Sequence, residues 1–70
     1  MFTYEMLLQN IRDVIQEKGL KQKAVAQRLG CSEQEFSNML NNRKAIKPEY
    51  IPVIALALGV DFNKLYRVRS

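Results

Sequence analysis

From Gln22 to Asn42 the chain reads QKAVAQRLGCSEQEFSNMLNN. Two short segments with helical apolar spacing are separated there by only Gly30, Cys31 and Ser32. Gly30 follows Leu29 and can take the left-handed conformation that turns the chain. Ser32-Glu33-Gln34-Glu35 then restarts it as a capping box, the Ser hydroxyl serving one free amide and the Glu35 carboxylate reaching back for another. A stop signal followed at once by a start signal allows little but two short helices joined by a tight turn. The second of these helices follows the Ser32 cap, and the whole unit reaches about residue 41. Phe36, Met39 and Leu40 form its inner face, with Cys31 and Phe36 placed as a hydrophobic staple. Glu33, Gln34, Ser37, Asn38 and Asn41 form a polar outer face.

The rest of the chain reads as helices built to pack on this pair. Tyr4, Leu7, Leu8, Ile11, Val14 and Ile15 recur at three- and four-residue steps, which predicts a helix over about Tyr4 to Lys18 with one buried stripe. Thr3 can cap it, Glu5 sits in its first turn, and Gly19 ends it. The next helix covers about Gln22 to Leu29. Val25, Ala26 and Leu29 face inward, and Leu20 and Val25 occupy staple positions. Arg43 to Lys47 reads as a basic connecting loop. Pro52 is tolerated only in a first turn, so the fourth helix starts near Tyr50 and runs to Leu58. Val53, Ile54, Leu56 and Leu58 make it apolar nearly all round, which predicts a central position. Asp61 can cap a short fifth helix, Phe62 to Tyr66. The expected fold is therefore all-α: one compact domain, residues 1–70, of five short helices.

Length and composition exclude much else. Seventy residues make one small core. One cysteine and no histidine leave no disulfide framework and no zinc site of the usual Cys/His kind, so no metal is expected. No apolar run approaches the ~18–20 residues of a membrane span. The N-terminal stretch carries Glu5, Asp13 and Glu17, unlike a signal peptide. A cytoplasmic protein is the expectation. Ser32 and Ser37 have no histidine partner, Glu33 and Glu35 are two apart and point in different directions, and no glycine-rich phosphate loop occurs. These absences point away from an enzyme, and no cofactor or small-molecule ligand is expected. Cys31 reads as a structural thiol, with nothing basic adjacent to lower its pKa.

Net charge is +4, and its distribution says more than its size. Between residues 18 and 47 lie Lys18, Lys21, Lys23, Arg28, Arg43, Lys44 and Lys47 against Glu33 and Glu35, seven positive and two negative, hence +5. Positive charge centred on the helix pair suits a polyanion. On charge alone a solvated basic surface is an equal reading.

The order and spacing of these residues resemble the helix-turn-helix domain of phage repressors and Cro proteins and the bacterial regulators related to them. The resemblance covers about Leu20 to Leu65. It rests on Gln22 opening the second helix, Ala26 in its middle, Leu29-Gly30 at the turn, and Ser32 capping the third helix. Tyr50-Ile51-Pro52 leading to Ala55 and Ala57-Leu58-Gly59-Val60 completes it. The helix-turn-helix would span about residues 22–41 of a lambda-repressor-like domain.

The resemblance implies that the third helix lies in the major groove of double-stranded DNA. Glu33, Gln34, Ser37 and Asn38 would then meet base edges. Gln and Asn can bond an adenine edge twice, and Glu can accept from cytosine. Gln22 would hold a phosphate, with Lys23, Arg43, Lys44 and Lys47 adding salt-sensitive affinity. Such proteins read palindromes as dimers, which implies a homodimer on DNA with Phe62, Leu65, Tyr66 and Val68 as the candidate interface. Partial exposure of those side chains would be its trace. The implied function is a sequence-specific transcriptional regulator, a phage or prophage Cro- or repressor-like protein. The third helix departs from the pattern in carrying Glu33 and Glu35 and no Arg or Lys. The alternative is a protein-interaction module of the same fold, antitoxin- or anti-repressor-like, whose partner meets those acids.

Overall fold

In a computed structural model, which describes residues 1–68, the chain forms four α-helices and one 3₁₀ helix. They are α1 (Tyr4–Glu17), α2 (Gln22–Leu29), α3 (Glu33–Leu40), α4 (Tyr50–Leu58) and the 3₁₀ helix Phe62–Tyr66. No strand occurs among the described residues. The expected fifth helix exists but is 3₁₀ rather than α. Five residues allow little more than the tight turn seen in the bond from Lys64 N–H to the Asp61 carbonyl (3.0 Å). The Asp61 side chain caps it by accepting from the Asn63 amide at 2.8 Å.

Helix boundaries follow local chemistry. Thr3 Oγ1 accepts from the Met6 amide (3.2 Å) and opens α1. Lys18 lies just past its end, one residue short of the expected boundary. Gly30 follows α2 at φ 78°, and the Cys31 amide returns to the Ala26 carbonyl at 3.1 Å. This closing bond satisfies a carbonyl that the helix end would leave open. Asn42 takes the equivalent place after α3 at φ 59°, the only non-glycine residue with positive φ among those described. The Arg43 amide then bonds the Asn38 carbonyl at 2.8 Å. Asn accepts this conformation at less strain than other side chains.

The core gathers Leu7, Leu8, Ile11, Val14, Val25, Phe36, Leu40, Ile54, Leu58 and Leu65 from all five elements. Packing pairs α2 with α3 and α4, α1 with α3 and the 3₁₀ helix, and α4 with the 3₁₀ helix. Three expectations about this core need correction. Tyr4 starts the α1 stripe but is 37% exposed, and its hydroxyl accepts from the Ile46 amide at 3.0 Å. The α4 helix is not buried all round. Ile51, Ile54, Ala55, Ala57 and Leu58 face the core, whereas Val53 is 40% and Leu56 80% exposed. The Arg43–Lys47 loop does more than connect, because Ile46 at its centre is buried. The loop is thus fixed at three points: by Ile46 in the core, by Tyr4, and by bonds from Arg43 and Lys44 amides to the Asn38 carbonyl.

Cations from other helices close two helix C-termini. Lys18 Nζ lies 3.2 Å from the Gly59 carbonyl and Arg28 Nη1 2.8 Å from the Ala57 carbonyl, both at the end of α4. Arg12 donates to the Leu40 carbonyl and, at 3.4 Å, to Asn41 Oδ1 at the end of α3. Positive charge there meets both the open carbonyls and the negative end of the helix dipole. Lys18 and Arg28, counted above with the basic middle of the chain, therefore have structural duties.

Candidate nucleic-acid interface

The capping box read in the sequence is present and sets where α3 begins. Ser32 Oγ accepts from the Glu35 amide at 3.1 Å, and Glu35 Oε1 accepts from the Ser32 amide at 3.4 Å. Phe36, Met39 and Leu40 are buried, so α3 is rolled with its polar face outward. Glu33, Gln34 and Asn41 are exposed, and Ser37 and Asn38 are half-buried.

That polar face is internally ordered. Gln34 Nε2 donates to Asn38 Oδ1 at 3.1 Å, and Asn41 Nδ2 donates to Ser37 Oγ at 3.3 Å. Both are pairs four residues apart, neighbours on a helix surface. The Gln34–Asn38 bond restrains two side chains that would otherwise lose rotamer freedom on binding. It leaves the Gln34 carbonyl oxygen and the Asn38 amide hydrogens for an incoming group. One acceptor beside one donor is what the major-groove edge of adenine pairs with.

Basic residues flank this face. Gln22 and Lys23 open α2 and are exposed. Lys21, before them, provides no side-chain cap, so no side chain covers the first-turn amides of α2 from that position. Such a turn favours an anion. Beyond α3, Arg43, Lys44 and Lys47 are exposed on the anchored loop. Lys44 and Lys47 line a shallow groove with Met39, Ala45, Glu49 and Tyr50.

Lys44 is not a free cation. Its Nζ lies 3.0 Å from Glu35 Oε2. The pairing pushes the Lys44 ammonium above its ordinary range. The hydrogen bond from Lys44, and then that from the Ser32 amide, pulls the Glu35 carboxyl below its own. Glu35 is thus committed to Ser32 and Lys44, while Glu33 stands exposed in the first turn, where the helix dipole favours an acid. Cys31 is partly buried against the core. Burial, then the Glu35 charge, pushes its thiol pKa up against the smaller opposite pull of Lys44 and its own amide. A thiol so placed is a poor nucleophile at neutral pH.

Of the apolar residues expected at a dimer interface, Phe62 (41%) and Val68 (57%) are exposed and Tyr66 is half-buried. Leu65 differs: it is fully buried, held in the core because the 3₁₀ turn points it at α1 and α4. Phe2 was not anticipated here, yet its ring lies 5.1 Å from that of Tyr66, and Phe62 lies 4.8 Å from Tyr66 on the same cluster. Arg12 was also missed. Its role at the end of α3 depends on a contact 28 residues away, which no local pattern announces.

Comparison with known proteins agrees with this geometry. The sequence model of the helix-turn-helix family matches residues 11–65. A crystal structure of a hypothetical transcription factor, NHTF, from Neisseria is similar in fold, with a TM-score of 0.79 and 26% sequence identity. The match covers 96% of this chain and 83% of that one. No curated protein matches the chain significantly. With most of its length matched by the family model, the chain belongs to the helix-turn-helix family of the Cro/CI type, and is a DNA-binding regulator.

Proposed function

We propose that the protein is a sequence-specific transcriptional regulator of the Cro/repressor kind, from a phage or prophage. It acts in the cytoplasm as a homodimer on a palindromic operator, through a single domain that spans residues 1–70. The observation that carries this reading is the outward, preordered pair Gln34–Asn38 on a capped α3. In this reading α3 lies in the major groove, Gln34 and Asn38 read an adenine edge, Ser37 touches base or sugar, and Glu33 accepts from cytosine. Gln22 and Lys23 at the start of α2, with Arg43, Lys44 and Lys47 on the loop, meet phosphates and fix the register. Phe62, Tyr66 and Val68 form the contact between copies, with buried Leu65 supporting them from beneath.

Selection of bound sequences from a random duplex library at physiological salt tests this. Enrichment of a palindrome with half-sites about one helical turn apart is expected. Binding without enrichment, lost steeply as salt rises, would reduce the interface to a phosphate-seeking surface. No binding at all would favour a partner protein that docks on Glu33 and its neighbours.

A further inference from the structure

We infer that Glu35 restrains Lys44 as a phosphate contact, and so determines how much sequence-independent affinity the DNA interface carries. The inference rests on the DNA-binding reading above. Among the described residues, the ion pairs are Lys44–Glu35 at 3.0 Å and Lys64–Glu17 at 3.6 Å. Of the three loop cations Arg43, Lys44 and Lys47, Lys44 is thus the one that is ion-paired among the described residues. Both partners are held from behind. Glu35 Oε1 faces the Ser32 amide and hydroxyl, each at 3.4 Å, so the capping box fixes the carboxylate on the first turn of α3. The Lys44 backbone amide bonds the Asn38 carbonyl at 3.2 Å, which fixes the base of its side chain.

A phosphate that recruits Lys44 must compete with this carboxylate. If Lys44 leaves, Glu35 faces a polyanion unpaired. If it stays, it contributes almost no net charge. Either way Lys44 releases less of the counterion atmosphere than Arg43 or Lys47 does. Phosphate contacts carry no sequence information, so weakening one lowers background binding and leaves base readout alone. Glu35 acts on specificity through Lys44, as a positioning residue, and needs no contact with a base.

Glu35→Gln separates the two duties of the side chain. Glutamine serves in a capping box, so α3 keeps its start; far-UV circular dichroism checks this. Binding to a short mixed-sequence duplex is measured by fluorescence anisotropy over a salt series. The wild type should bind, and Glu35→Gln should steepen the slope of log K against log salt by about 0.9, one phosphate. Adding Lys44→Gln to Glu35→Gln should return the slope to the wild-type value. An unchanged slope in Glu35→Gln overturns the inference. So does a steeper slope that survives in the double variant, because the carboxylate would then act as diffuse charge and not through Lys44. Failure of the wild type to bind any duplex would instead overturn the DNA-binding reading, and the inference with it.

Discussion

Asn10 shows how much one polar side chain can hold. It is 1% exposed in an otherwise apolar core, and its Nδ2 donates to the carbonyls of Leu65 and Arg67, each at 2.9 Å. Those bonds tie the C-terminal segment to α1, the one to Leu65 buried and the one to Arg67 partly so. Asn10→Ala should cost about 1–3 kcal/mol, the penalty for a buried carbonyl, that of Leu65, losing its donor; urea denaturation measures it. The opposite behaviour is expected on α3. Gln34→Ala with Asn38→Ala should leave stability within about 0.5 kcal/mol per site, as for surface positions generally. The same double change should remove the preference for operator over mixed-sequence duplex in a competition assay. Gln34 and Asn38 were legible because their placement depends only on the Ser32–Glu35 capping box and the phase of Phe36, Met39 and Leu40. Asn10 left a fainter signal. It keeps the phase of the α1 stripe, three residues after Leu7 and four before Val14, but its partners lie 55 and 57 residues away.

The helices start and stop where the sequence marks them, since caps and turn glycines act over three or four residues. Gly30 is the sharpest case. Its φ is 78°, and a Cβ there would meet nothing within 4 Å. Gly30→Ala should therefore cost about 1–2 kcal/mol from backbone strain alone, seen as a lowered Tm with an unchanged fold. The start of α3 should be sensitive to acid. The Glu35 carboxyl titrates below its ordinary value when folded. The stability it adds is thus full above the ordinary carboxylate value and lost as pH falls through the depressed one. Lys44 runs the other way: its contribution is present at neutral pH and lost only as pH rises through its elevated value. Wild-type Tm should fall more steeply below the ordinary carboxylate range than that of Glu35→Gln, in a pH series by calorimetry. Features that depend on other elements were not legible at this scale. Lys18, just past α1, and Arg28 of α2 cap α4. Neither belongs to the last turn of the helix it caps, where sequence reading looks for cations. Hydropathy made α4 uniformly apolar, so only packing decides that Leu56 points to solvent and Ile46, in a charged loop, points inward.

As a whole molecule, the protein has Cα extents of 31 × 24 × 20 Å. Half-sites one helical turn apart are separated by about 34–36 Å. Two copies centred on such half-sites, each with its long dimension near the duplex axis, would touch over a small area. Association off DNA should be weak and binding on DNA cooperative. In a gel-shift titration, a palindrome with half-sites one turn apart should bind in a single cooperative step. Shifting the half-sites by half a turn should split this into two independent events. Fold class was legible at this scale because four glycine- or asparagine-punctuated segments leave few alternatives. Which of the residues proposed for a contact between copies lie at the surface was not, since exposure of Phe62 and Val68 and burial of Leu65 depend on how the 3₁₀ turn lies against α1 and α4. The ring contact between Phe2 and Tyr66 has a different consequence. It brings the two ends of the described chain side by side, so the order of the helices along the chain is separable from their packing. A short linker can join those ends, and the chain can be reopened in the exposed turn at Gly19. The resulting circular permutant would begin at α2, end with α1, and present the same α3.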